Sequence, residues 1–104
     1  MILTSIETVP GREIVSSLGV ARGSTVRARN VGRDIFAGLK NLVGGEISEY
    51  TKLQAQAREE AIRRMIADGE SLGADAIVNV RFNTAMIMTG TAEILAYGTA
   101  VKLK

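Results

Sequence analysis

The chain has 104 residues. That is one domain, 1–104, with a modest core, because chains of this size bury only about 60–70% of the surface exposed on unfolding. Without cysteine or histidine, the sequence excludes disulfides, thiolate and imidazole metal ligands and the usual base of neutral-pH catalysis, and a net charge of +2 with 4% aromatic residues argues against nucleic acid as a partner.

The first stretch, "MILTSIETVPGRE", mixes Ile2, Leu3 and Ile6 with Thr4, Ser5 and Glu7. It lacks the basic start of a signal peptide and the length of a membrane span, so the expectation is a soluble cytoplasmic protein with no membrane partner. Ile2, Thr4 and Ile6 suit a short strand. "VPGRE" at 9–13 is a turn, with Pro10 presetting its first central position and Gly11 free to take positive φ at the second. "REIVSSLGVARGSTVRAR" is rich in β-branched residues and alternates, with Ile14, Ser16, Leu18 and Val20 on one side and Val15, Ser17, Gly19 and Ala21 on the other. It reads as one long strand, bent at Gly19 or Gly23.

The period then changes. Ile35, Phe36, Leu39, Leu42 and Val43 predict a short helix over 34–43, with Asp34 as its N-cap and Gly44 as its stop. From Glu46 to about Leu72, the apolar positions Ile47, Tyr50, Leu53, Ala57, Ala61, Met65 and Leu72 mark one face of a long helix ended by Gly73. Its acid-first pairs, Glu59–Arg63 and Glu60–Arg64, are spaced to support it. The alanines in the middle of that face allow close approach of whatever lies beneath. "ADAIVNVRFNTAMIM" and "TAEILAYGTAVKLK" are two strands joined around Thr89–Gly90. In the first, Ala76, Val78, Val80 and Phe82 fall on one face. In the last, Ile94, Ala96 and Ala100 fall on one side and Leu95, Tyr97, Val101 and Leu103 on the other, so both faces are apolar and one helix covers only one of them. Apart from the short helix at 34–43 the chain has little left to cover the other, and the cheapest remaining cover is a second copy of the chain, which predicts self-association.

"RARNVGRDIFAGLKNLVGGEISEYTKL", "AREEAIRRMI", "LGADAIVNVRF" and "AYGTAV", in that order and spacing, resemble the YbjQ-like family, whose label is heavy-metal binding. The resemblance spans nearly the whole chain. It implies an α+β fold, a β-α-β-β two-layer domain with the long helix on a small antiparallel sheet in which the last strand is central. It also implies a ring-shaped homopentamer.

Chemistry is sparse. Glu46 and Glu49 are three residues apart at the start of the long helix and, with Asp34, offer oxygen ligands to a hard divalent cation such as Ca²⁺ or Mg²⁺, the candidate cofactor. The same acids would also offset the helix dipole. Gly44–Gly45 lacks the lysine and spacing of a phosphate loop and serves as a turn. Arg27, Arg29 and Arg33, with Arg22 before them, form a basic stretch for an anion or a subunit interface, without an aromatic among them to stack a base. Met86 and Met88 share a strand face but lack the His or Cys partners of a copper site. Ser16 and Ser17 have no neighbouring base. The reading is a non-enzymatic oligomeric protein binding a metal or small ligand at the carboxylates. The alternatives are a structural or interaction module without a ligand, and a carboxylate-based enzyme at a subunit boundary.

Overall fold

The computed structural model describes residues 1–28, 48–88 and 91–104. The short helix expected at 34–43, the Gly44–Gly45 turn and the Thr89–Gly90 connection lie outside them. In chain order the elements are β1 (Ile2–Leu3), β2 (Ile14–Ala28), α1 (Ser48–Ser71), β3 (Ala76–Met88) and β4 (Thr91–Leu103). The sheet order is β1-β3-β4-β2, so the last strand is central, as the resemblance implies.

The sheet is mixed, where an antiparallel one was expected. β4 is antiparallel to β2 and to β3, but β1 lies parallel to β3, with Ile2 opposite Ala76 and Leu3 opposite Ile77. The reason is the path of residues 4–13. They do not fold back as a hairpin; they cross the sheet on the side away from α1, from the β1 edge to the β2 edge. Thr4 and Ile6 continue alongside β3 through Thr4 N to Ile77 O (3.0 Å), Val80 N to Thr4 O (2.9 Å) and Asn79 N to Ile6 O (2.9 Å). The turn then closes as expected, with Gly11 at φ 79° and Arg12 N donating to Val9 O at 3.0 Å. Val9 is buried against Ala76, Val78, Val101 and Leu103, with Ile14 at the margin. The chain thus covers part of β4's second face itself, which the sequence reading had assigned to another copy.

Register shifts in β2 and β3 reset the alternation. In β2 the register slips between Ser17 and Gly19, and Gly19 takes φ 108°, a conformation glycine adopts without strain. A second slip in β2, between Ile14 and Ser16, sets Ile14 on the far side from Leu18, and the one at Gly19 brings Leu18 and Ala21 together under α1. In β3 the slip falls between Val78 and Arg81, with Asn79 at φ 55°, a left-handed position that Asn tolerates better than most residues. The four residues expected on one face of β3 therefore divide. Ala76 and Val78 join Val9, while Val80 joins Ile77 on the α1 side, where Phe82, opposite Ala96, also falls.

α1 rests on β2 and β4 through Ala57, Ala61 and Met65, packed on Ala21, Ile94, Ala96 and Ala100. The close approach read from the alanines is met by Gly23: a Cβ there would lie 2.3 Å from Met65 N and 2.4 Å from Ala61 O. Thr25, 3% exposed, donates from Oγ1 to Ala57 O at 3.0 Å, which satisfies its hydroxyl inside the core. At the C-terminus of α1, Gly73 (φ 82°) donates to Glu70 O and Ala74 N to Gly69 O, both at 3.0 Å, the paired bonds of a Schellman stop. On the exposed side, Glu60 pairs with Arg64 at 3.3 Å and also with Arg63. Arg63 was expected to pair with Glu59; its guanidinium instead reaches the nearer carboxylate one residue along.

Candidate functional site

Of the residues proposed as metal ligands, Asp34 and Glu46 lie outside the described residues. Glu49 is the second residue of α1. Of the arginines, Arg29 and Arg33 lie outside, and Arg27 sits near the end of β2, opposite Ala92. α1 runs against β2, since Ala57 meets Thr25 while Asp68 meets Arg22. Glu49 and Arg27 are therefore at the same end of the molecule. Among the described residues, no three of His, Cys, Asp and Glu gather as metal ligands would.

Two surfaces are left open by the described residues. α1 crosses the sheet obliquely, from β2 at the Arg27 end to Gly69 beside Ile77 of β3. The outer half of β3 on that side is bare: Phe82 is 45% exposed and Met86 77%. On the opposite face, beyond the cover of Val9, the register sets Arg22 of β2, Tyr97 of β4 and Arg81 of β3 side by side in one row. Tyr97 is 36% exposed. Arg81 Nη1 donates to Ser5 O at 2.7 Å and to Val80 O at 3.0 Å, which fixes the guanidinium and leaves its other N–H groups available. The side chain of Arg22 makes no hydrogen bond or ion pair among the described residues. No aromatic lies among the arginines along the sequence; the one beside Arg22 is Tyr97 on β4, and strand pairing is the signal for it.

The free edge of β2 is partly occupied. Arg22 N donates to Asp68 Oδ2 at 3.0 Å, and Ser24 O accepts from Arg64 Nη1 at 2.6 Å. Side chains of α1 thus satisfy edge groups that would otherwise invite another strand.

A family model described as "Putative heavy-metal-binding" matches residues 1–104. The chain is similar to a UPF0145 protein of Methanoculleus marisnigri, 62% identical over 103 residues, covering 99% of this chain and 96% of the relative. One from Archaeoglobus fulgidus is 61% identical over 104 residues, covering 100% and 96%. A crystal structure of a protein of unknown function from the DUF74 family of Pediococcus pentosaceus superposes with a TM-score of 0.70 at 16% identity, covering 100% of this chain and 98% of that one, a likeness of fold. Among the described residues no helix is long and apolar enough to cross a membrane.

Proposed function

The chain belongs to the YbjQ-like family, and from that premise we propose that it is a non-enzymatic cytoplasmic protein that assembles with copies of itself into a ring, with five subunits as the expected number, and binds a small ligand there. The observation that carries the self-association is the bare outer half of β3, with Phe82 and Met86 exposed. Its length explains why one helix does not cover it. β3 has 13 residues and α1 has 24, so the strand extends about 43 Å at ~3.3 Å per residue and the helix, which crosses it obliquely, only about 36 Å at ~1.5 Å per residue.

The heavy metal of the family label does not fit the donor set. Soft and borderline ions select thiolate and imidazole, and this chain contains neither Cys nor His. Its oxygen donors suit a hard divalent cation instead, with Glu46, Glu49 and Asp34 as the residues proposed to hold it.

Native mass spectrometry tests both halves of this reading. The protein, weighed as purified and again after chelator, should give a multi-subunit mass, and Phe82→Glu with Met86→Glu should shift it toward monomer without loss of helical signal. A chelator-sensitive adduct supports the cation. A monomer at micromolar concentration refutes the assembly, and a metal-free mass that added Mg²⁺ or Ca²⁺ does not change refutes the cation.

A further inference from the structure

We propose that the row Arg22–Tyr97–Arg81 is a binding platform for a nucleoside phosphate, a deepening that rests on the small-ligand reading but not on the cation. The three residues come from three different strands and are brought together by register: Arg22 opposite Tyr97, and Tyr97 opposite Arg81. Adjacent strands lie about 4.8 Å apart, so the two arginine backbones flank the tyrosine across roughly 10 Å, the scale of a base with its sugar and phosphate. Aromatic rings accept any base on their face, and guanidinium groups bind phosphate through paired N–H donors.

The platform has a fixed side and a free side. Arg81 is anchored by Ser5 O and Val80 O, so its remaining donors are oriented before a ligand arrives, which lowers the ordering cost of binding. Beside it, between the crossing segment and β3, is an open hollow of about 440 Å³ lined by Ser5, Ile6, Glu7, Thr8, Asn79 and Arg81. Thr8 and Asn79 carry polar groups suited to a sugar hydroxyl. Arg22, without a side-chain partner among the described residues, is free to close on the other side.

The surroundings favour a single nucleotide over a strand of nucleic acid. Two rows from Tyr97 on the same face, Val26 pairs with Glu93 and Glu93 with Ala85. That carboxylate, about 13 Å along β4 at ~3.3 Å per residue, and Glu7 in the hollow beside Arg81 bound the positive strip. A polynucleotide backbone continuing along the strands would meet negative charge.

The test is a titration of the ¹⁵N-labelled protein with adenosine 5′-monophosphate, with adenosine and inorganic phosphate as part-ligands, and native mass spectrometry of the same ligand-free sample. Saturable shifts clustered on residues 22, 81 and 97, stronger for the nucleotide than for either part, are expected. Tyr97→Leu should weaken binding about 5- to 100-fold, the range of one base–aromatic stack, and Arg22→Gln should weaken it with phosphate present but not for adenosine. No saturation by millimolar nucleotide, or equal binding by Tyr97→Leu, overturns the proposal, and tighter binding of oligouridylate than of the mononucleotide overturns its single-nucleotide form. A monomer that still binds at the row would fail the ring reading alone; a ring that does not bind would fail this one alone.

Discussion

Gly23→Ala isolates the contact on which the two layers depend. The added Cβ would stand 2.3 Å from Met65 N, 2.4 Å from Ala61 O and 2.6 Å from Arg64 Cβ. Two of these are helix backbone, which cannot rotate away, and ordinary contact begins near 3.4 Å. The helix must therefore lift by about 1 Å, and a gap of ~0.5–1 Å already forfeits a quarter to a half of each dispersion contact. The loss falls on Ala57, Ala61 and Met65 together, because one rigid helix carries all three. Overpacking typically costs about 1–3 kcal/mol, and a clash with main chain on both sides belongs at or above the top of that range. At ~4–8 °C per kcal/mol for a domain of this size, a fall in Tm of at least about 12 °C is expected.

The assay is thermal and urea unfolding followed by circular dichroism, with every variant at one protein concentration, since an assembling protein melts higher when concentrated. Gly73→Ala is the matched control. It has nothing within 4 Å of its Cβ but a φ of +82°, so it carries backbone strain of about 1–2 kcal/mol and no clash. A Gly23→Ala protein that melts within a few degrees of the parent, or above Gly73→Ala, would refute the close seating of α1 on β2.

Thr25→Val keeps the shape of a buried residue and removes its bond to Ala57 O, so chemical denaturation should show a loss of about 1 kcal/mol. Gly69→Ala meets the Cδ1 of Ile77 at 2.8 Å, a side-chain end that can be trimmed; the variant should be destabilised alone and recover in part with Ile77→Val, a positive coupling readable in a double-mutant cycle. Glu46→Gln with Glu49→Gln should abolish any rise in Tm produced by Mg²⁺ or Ca²⁺, and an undiminished rise in a thermal-shift assay would remove both carboxylates from the site.

The long-range signals in the sequence were those with a clean period. The 24 residues of α1, its glycine stop and the alanine face that admits Gly23 follow from spacing alone. Alternation failed where an extra residue enters a strand, between Ile14 and Ser16, at Gly19 and at Asn79, because a single bulge exchanges the two faces of everything beyond it. Gly19 carried a hint of that; Asn79, inside "IVNV", carried none. The path of residues 4–13 across the sheet was equally hidden, since a Pro–Gly turn is the same turn in a hairpin and in a crossing. The Arg22–Tyr97–Arg81 row depends on register across 75 residues of chain and on the bulge at Asn79. Without that bulge, Arg81 would fall on the α1 side.

The same close seating that makes Gly23 necessary also limits what the single chain gains by folding. Alanine and glycine let two layers approach but remove little apolar area from water, and hydrophobic stabilisation scales with that area, at about 25 cal/mol per Å². Among the described residues the largest fully buried side chains are Met65 and Ile77, while Phe82, Met86, Val20 and Val26 remain more than 40% exposed. Several of the larger apolar groups among the described residues thus sit outside the core. Phe82 and Met86 on the α1 side and Val26 on the other lie toward the Met88–Thr91 end of β3 and β4, so in the assembly proposed above, copies that cover Phe82 and Met86 would add the large-side-chain burial that an alanine-lined helix–sheet contact cannot provide.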